Sequence, residues 1–195
     1  MTGWRVSTGM RRIDLPGRTL LLVAGMPGAG KSTLLAGLAP TPGLTVLDSE
    51  SYRDALGRLL PGLPYAWYRP LVHLWHRLAV LLAALSDEPT LVVHLPATDE
   101  RTRTAVARLA RLTGRSAHLL WLHTEPDQAR RGQFARGRVV PQASFTAHAE
   151  QAARTSAALQ AGEVPPGWAT VTVLDRAAAR SGVHLPAARV PVTRA

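Results

Sequence analysis

Residues 25–32 read GMPGAGKS, and the rest of the chain is interpreted outward from this stretch. It fits the pattern G-x-x-x-x-G-K-[ST], in which the backbone N–H groups of a glycine-rich turn surround phosphate oxygens. An apolar run of strand length, residues 19–24, precedes it, and a segment with helical spacing runs from Lys31 to a stop at Pro40. A strand, a glycine turn and a helix start are the context that this motif requires, so the sequence predicts a phosphate-binding loop.

The residue types of the loop suit a nucleotide. The first turn of the following helix offers unpaired N–H groups and the positive end of its dipole to an anion. Lys31 is expected to reach the β- and γ-phosphates and Ser32 to bind Mg²⁺, which predicts ATP and Mg²⁺ as cofactors. The alternative is a glycine-rich turn with an incidental lysine. The predicted nucleotide-binding residues are Gly25, Pro27, Gly28, Ala29, Gly30, Lys31, Ser32 and Thr33.

Charge is unevenly divided between the two basic residue types. The 195 residues include 23 Lys and Arg against 13 Asp and Glu, a net charge of +10, and Lys31 is the single lysine. An arginine-rich sequence therefore has its one ammonium group inside the loop motif. The net charge indicates either a compositional bias towards arginine or affinity for nucleic acid or another polyanion. No block of basic residues is present, which favours the first interpretation.

Length and composition limit the class of protein. With 46% hydrophobic residues, one domain with a core is expected, and we assign it residues 1–182, followed by a loosely ordered tail at 183–195. The absence of cysteine excludes disulfides and cysteine-bound zinc and is compatible with the cytoplasm. We see neither a signal peptide nor an apolar run long enough to span a membrane, so we expect a cytoplasmic protein without a membrane partner.

Short apolar segments alternate with segments of helical spacing. Strands are predicted at residues 19–24, 44–47, 90–94, 117–122 and 169–174. Residues 70–85 predict a helix, with leucines at positions 71, 74, 78, 81, 82 and 85. This alternation is typical of an α/β fold in which helices cover both faces of a parallel sheet.

With these segments in place, the chain resembles the P-loop NTPases, and among them the small P-loop kinases and the AAA-type ATPases. The similar kinases are shikimate and gluconate kinase, the chloramphenicol phosphotransferase, the zeta toxin and the kinase half of polynucleotide kinases. The resemblance covers about residues 19–175, and the loop is its most specific part. It implies a three-layer fold with a five-stranded parallel sheet of order 2-3-1-4-5 and a short helical lid.

The resemblance also implies further catalytic residues. In these kinases the strand after the P-loop helix ends in an acidic residue, and here Asp48 stands there, as a candidate base for the acceptor hydroxyl and a candidate Mg²⁺ ligand. An aspartate at this position also suits a helix N-cap. The arginines of the kinase lid correspond to residues 130–138, where Arg136 and Arg138 are candidates for stabilising the transferred phosphate. The predicted catalytic residues are Lys31, Asp48, Arg136 and Arg138.

Two positions depart from the kinase pattern. Many P-loop enzymes hold Mg²⁺ with an aspartate after the third strand, whereas this strand ends in His94 followed by leucine. The lid has Gly132 where the kinases often carry their first arginine, which leaves Arg131 as the neighbouring candidate. Glu50 and Arg53 either orient the acceptor or form a surface pair.

Aromatic residues and histidines cluster between the second and third strands, where the similar kinases bind their acceptor. Tyr65, Trp67 and Tyr68 either stack on the acceptor or bury area within a helical packing. His73 and His76 share a helical face with an arginine, and without nearby carboxylates this pattern is typical of a solvated polar surface rather than a metal site.

Three functions are compatible with these patterns. The leading one is an ATP-dependent kinase that transfers the γ-phosphate to a hydroxyl of a small molecule or nucleotide. The second is a nucleic-acid-end kinase or another nucleic-acid-handling ATPase, whose binding to oligonucleotides would weaken with salt. The third is a nucleotide-dependent regulatory switch with little turnover.

Overall fold

Strands and helices alternate along the computed structural model, which describes residues 10–95, 97–137 and 139–186. The strands are β1 Arg11–Arg12, β2 Thr19–Gly25, β3 Leu44–Asp48, β4 Thr90–His94, β5 Ser116–Leu122, β6 Thr170–Leu174 and β7 Val183–His184. The helices are α1 Lys31–Ala36, α2 Ser49–Leu59, α3 Tyr65–Leu85, α4 Glu100–Leu112, α5 Pro126–Phe134, α6 Gln142–Gln160 and α7 Arg176–Ser181.

A five-stranded parallel sheet of order β3-β4-β2-β5-β6 forms the centre of the molecule. This is the predicted order 2-3-1-4-5, and the predicted α/β fold is confirmed. β2 is buried along its whole length because it lies in the middle of the sheet and is covered on both faces, as its unbroken apolar sequence predicts.

The parallel arrangement places the carboxyl ends of the strands along one edge. Gly25 at the end of β2 lies opposite Leu122 of β5, and Asp48 at the end of β3 lies opposite His94 of β4. The residues that follow these strands therefore meet at this edge, where open α/β sheets bind ligands.

Aspartates begin three of the helices. The side chain of Asp48 accepts a hydrogen bond from a backbone N–H at the start of α2, and Asp99 and Asp175 do the same for α4 and α7. Each aspartate satisfies one of the N–H groups that a helix start leaves unpaired. The N-cap interpretation of Asp48 is thus correct, whatever further role this carboxylate has.

Helix α3 differs from its sequence prediction in its start and in its orientation. It begins at Tyr65, five residues before the predicted start, so that Pro70 lies inside it. Its buried face holds Val72, His76 and Val80, whereas the leucines that predicted the helix are exposed. The surface position expected for His76 was therefore wrong, because its ring is 1% exposed.

The chain continues past the predicted domain boundary at residue 182. β7 pairs in parallel with β1 to form a small second sheet, and Val183 and Leu185 are buried. Residues 183–186 of the predicted tail therefore pack against the domain. Residues 187–195 lie outside the described part of the chain, and the single-domain assignment stays a prediction.

Candidate active site

The loop between β2 and α1 is held by close packing against α5. Gly28 has a φ of +90°, and a Cβ atom there would lie 2.0 Å from the carbonyl oxygen of Ala129. Only glycine combines this backbone conformation with such an approach. Gly30 is the N-cap of α1 and supplies no side-chain cap, which leaves the first turn of α1 for an anion.

Lys31 lies buried in the first turn of α1. Its Nζ donates hydrogen bonds to the carbonyl oxygens of Gly25, at 2.8 Å, and Met26, at 2.9 Å. Burial and the nearby charge of Arg136 lower the pKa of Lys31 to about 8, while the charge of Asp48 opposes this shift. The single lysine is thus a desolvated cation held against the loop.

The other predicted loop residues stabilise the turn or lie at its mouth. The N–H of Ala29 donates to the carbonyl of Met26 at 3.1 Å, and the carbonyl of Pro27 accepts from the side chain of Gln133 at 3.0 Å. Ser32 is half-buried, and Thr33 is exposed. Their roles in nucleotide binding stay predictions.

Asp48 and His94 form a hydrogen-bonded pair at the ends of β3 and β4. Nδ1 of His94 lies 2.8 Å from Oδ1 of Asp48, which also accepts from the N–H of Glu50 at 3.2 Å. Because an ionised carboxylate only accepts hydrogen bonds, Nδ1 of His94 carries a proton and donates it to Asp48. Burial raises the pKa of Asp48, but the hydrogen bond and charge of His94 outweigh it and hold that pKa below its ordinary value.

The predicted lid helix is α5, and it contacts the loop through side chains that the sequence did not indicate. A Cβ atom on Gly132 would lie 2.6 Å from the carbonyl oxygen of Gly28, so an arginine at position 132 cannot occupy this place. Gln133 is buried; besides its bond to the loop, its Oε1 accepts from the N–H of Val140 at 3.0 Å. Gln133 thereby links the loop to the segment that leads into α6.

The lid arginines separate into two groups. Nη2 of Arg136 donates to the hydroxyl of Thr33 at 2.5 Å, which places Arg136 at the mouth of the loop as the sequence suggested. Arg130 instead stacks on the ring of Phe145, 4.9 Å from its centroid, and donates a hydrogen bond to the side chain of Gln142 at the start of α6. Arg138, the other candidate, lies outside the described residues.

Two cavities adjoin the loop. One, of about 250 Å³, is lined by residues of the loop, of the start of α2 that follows Asp48, and of the lid. Its lining residues are Pro27, Gly28, Gly30, Lys31, Ser32, Ser49, Glu50, His94, Gly132, Gln133, Arg136 and Val140. A second, of about 210 Å³, also borders the loop and is lined by Arg136, Arg176 and Arg180. The predicted phosphate-binding and acidic segments thus converge on one space.

Several residues of these cavities were not predicted. His94 was noticed only as the place of a missing carboxylate, although its position at the end of a predicted strand next to β3 could have indicated contact with Asp48. Arg176 and Arg180 follow β6, and a single arginine in a sequence that has 22 of them gives no signal.

The aromatic residues of α3 lie apart from the cavity. Tyr65 packs edge-on against Tyr68, with 5.4 Å between ring centroids, and Arg53 lies over the ring of Tyr65 at 4.8 Å. Tyr68 joins a small cluster of buried residues with Leu56. These contacts favour packing for the two tyrosines, and they give Arg53 an aromatic partner.

Metal ligands and membrane spans were sought in the described ranges. There, no three His, Asp or Glu side chains lie close enough together to hold a metal ion by themselves. None of the helices within those ranges has the length and hydropathy needed to cross a bilayer.

Comparison with known proteins gives the family. Residues 20–161 match the AAA domain family, and the chain therefore belongs to this family of P-loop domains. No curated protein sequence matches the chain.

Solved structures with the same fold include kinases. A chain of the PezAT chromosomal toxin–antitoxin system of Streptococcus pneumoniae superposes with a TM-score of 0.58 at 15% identity, over 86% of this chain and 71% of that one. A Chloroflexus aurantiacus protein assigned as a kinase superposes with a TM-score of 0.58 at 16% identity, over 82% of this chain and 86% of that one. Shikimate kinase from Acinetobacter baumannii, in complex with shikimate, superposes with a TM-score of 0.51 at 15% identity, over 84% of this chain and 87% of that one. At these identities the similarity shows the fold, which is that of the P-loop kinases.

Proposed function

We propose that this chain is an ATP-dependent kinase that transfers the γ-phosphate of ATP to a hydroxyl group of a small molecule or nucleotide. The observation that carries the proposal is the convergence of Lys31, His94 and Arg136 on one cavity, with Asp48 hydrogen-bonded to His94 beside it. Phosphoryl transfer requires held phosphates, positive charge and an oriented acceptor, and these residue types supply all three. The kinases among the structural neighbours support this choice of reaction.

The residues of the loop suit ATP and Mg²⁺. Two of the three N–H groups of the Lys31 ammonium bond to loop carbonyls, which leaves one donor for a phosphate oxygen. The Ser32 hydroxyl and the Asp48 carboxylate are hard oxygen donors, and so small a set suits Mg²⁺, which retains waters and phosphate oxygens. When bound, Mg²⁺ neutralises charge on the β- and γ-phosphates.

In this proposal the Asp48–His94 pair takes up the proton of the acceptor. In the transfer, the acceptor oxygen forms a bond to the γ-phosphorus, and the bond between that phosphorus and the bridging oxygen of ADP breaks. The proton of the acceptor hydroxyl passes to the pair, with Asp48 as the base and His94 as the group that orients its carboxylate. Arg136, together with Arg138, stabilises the charge of the transferred group.

The test is a screen for acceptor-dependent ATP consumption with purified protein and Mg²⁺. Acceptors would include hydroxyl-bearing metabolites, nucleosides, aminoglycosides and oligonucleotide ends, and ADP and phosphorylated product would both be measured. We expect one acceptor class to stimulate ADP formation with a matching amount of product, and Lys31→Met to abolish both.

Other outcomes identify the alternative functions. Stimulation only by oligonucleotide ends, in a salt-sensitive manner, would select the nucleic-acid kinase instead. Loss of ATP at the same rate with and without every acceptor would contradict the kinase proposal in favour of the regulatory switch. We expect the reaction in the cytoplasm, because the cysteine-free sequence suits a reducing compartment.

A further inference from the structure

Helix α3 has two apolar faces, and only one of them is covered. The buried face consists of Tyr68, Val72, His76, Val80 and Ala84, which follow one another at intervals of four residues. This face packs against β3, β4, α2 and α4. This face alone packs α3 onto the rest of the domain.

The opposite side of α3 carries a second, exposed apolar stripe. We call it the α3 apolar face; its side chains are between 44% and 76% exposed. Helical spacing of 100° per residue places all of them within one third of the circumference, and no charged residue falls among them. The face consists of Trp67, Leu71, Leu74, Trp75, Leu78, Leu81, Leu82 and Leu85.

The area of this face is large for a monomer. Monomeric proteins rarely expose a contiguous apolar patch of more than a few hundred Å². Eight large side chains exposed by about half leave on the order of 800 Å² or more, which is what each partner of a stable protein–protein interface buries. An uncovered surface of this size indicates a partner.

The spacing within the face indicates which kind of partner. Trp67, Leu71, Leu74, Leu78, Leu81 and Leu85 are separated by four, three, four, three and four residues. Two helices that pack side by side show this alternation, because it keeps one row of apolar side chains on each helix facing the other helix. We call this row of six residues the seam. The 21 residues of α3 give the seam a length of about 30 Å.

We propose that two copies of this chain associate through their α3 apolar faces. Leucines at both seam positions make the face complementary to itself, as a two-fold interface requires. A lipid surface would not require the four–three alternation, and helices that lie on membranes carry Lys and Arg along the apolar border, where α3 has Arg77 alone. No residue of α3 lines the 250 Å³ cavity, so association leaves the candidate active site open.

The experiment measures the solution mass of the full chain and needs no activity, so its outcome is independent of the proposed function. Sedimentation velocity of the wild type should give twice the 20.9-kDa chain mass, with dissociation on dilution. The double variant Leu74→Glu with Leu78→Glu should halve the mass, because it places charges in the middle of the seam. Leu112→Glu is the matched control; this leucine is 79% exposed, belongs to α4 and is not a member of the face, and the control should stay dimeric.

A second measurement does not depend on the folding of the double variant. The chain has no cysteine, so Leu78→Cys carries a single thiol near the middle of the face, where it meets its counterpart in either a parallel or an antiparallel pair. A short bismaleimide should convert this variant to a covalent dimer and leave Leu112→Cys monomeric. A wild type that is monomeric at every concentration, with or without binding to phosphatidylserine vesicles, would overturn the proposal. So would a double variant that remains dimeric.

Discussion

Nδ1 of His94 donates a hydrogen bond of 2.8 Å to Oδ1 of Asp48, and the two residues occupy the same register position at the ends of neighbouring parallel strands. In many P-loop enzymes the strand that corresponds to β4 leads to a carboxylate for Mg²⁺, and a carboxylate here would face Asp48 with like charge. An imidazole instead holds Asp48 in one orientation and keeps it ionised, since the pKa of Asp48 lies below its ordinary value. The histidine that stands where many P-loop enzymes have an aspartate thus forms a hydrogen-bonded pair with Asp48.

Replacement of Asp48 by asparagine tests the carboxylate separately from the helix cap. Asparagine is as good an N-cap as aspartate, so Asp48→Asn should preserve the start of α2 and leave the protein folded. We expect kcat to fall by about 10² to 10⁴, the range of general base catalysis, with much less effect on nucleotide affinity. Stopped assays of product and calorimetric titration of ATP would measure the two quantities. Unchanged turnover would remove Asp48 from the catalytic role.

Replacement of His94 tests whether this residue acts through Asp48. His94→Phe removes the hydrogen bond to the carboxylate, and residues that orient a catalytic group typically affect activity by about 10-fold to 100-fold. In the background of Asp48→Asn, the same replacement should have little further effect on kcat, since the group that His94 orients is already gone. Additive losses would show that His94 contributes to the reaction independently of Asp48.

Much of this site followed from the sequence, because its elements are local in the chain. The loop motif lies between a strand and a helix start, and the alternation of segments predicted a parallel sheet covered by helices. The order of its strands was implied by the resemblance to the P-loop kinases, and the structure confirms it. Contacts between distant segments were not accessible in this way. Position 132 requires glycine because the backbone there lies against the carbonyl of Gly28. The orientation of α3 is determined by the valines and His76 on its buried face. Leucine spacing predicts a helix but not which of two apolar faces is covered.

Lys31→Met tests the loop itself. Methionine fills the volume of lysine without its charge, so phosphate transfer should fall by at least about 10²-fold, the cost of removing one donor to a developing anion. Folding should be preserved, because the burial that lowers the pKa of Lys31 to about 8 also makes its charge costly in the protein without nucleotide. Thermal unfolding by circular dichroism would check this. Wild-type turnover in a folded Lys31→Met variant would contradict the assignment of the loop.

The lid arginines can be tested against an arginine from the same segment that packs on α6. Arg136→Ala removes the guanidinium next to Thr33 and should lower kcat by about 10²-fold. Arg138→Ala is expected to act in the same direction. Arg130→Ala is the control, since Arg130 stacks on Phe145, and it should turn over as wild type. If Arg136→Ala and Arg138→Ala also behave as wild type, the lid assignment is wrong.

The buried ring of His76 predicts loss of stability in acid. Burial lowers the pKa of His76, and its hydrogen bond to the carbonyl of Leu47 and the charge of Asp48 only partly oppose this, while His94 and His73 add to it. In the unfolded chain an imidazole titrates near pH 6.5, so between that pH and the lower folded pKa the unfolded state binds more protons. The contribution of His76 is therefore complete above about pH 6.5 and is lost as pH falls through the folded pKa.

Urea unfolding monitored by circular dichroism, at several pH values between neutrality and acid, would measure this contribution. The free energy of unfolding of the wild type should decrease as the pH falls, and His76→Gln, which keeps a donor for the carbonyl of Leu47 but cannot be protonated, should flatten that decrease. His184→Gln is the matched control because His184 is exposed, and its pH dependence should follow the wild type. An equal slope for wild type and His76→Gln would show that the imidazole is accommodated in its charged form, through solvent access or a rearrangement towards Asp48.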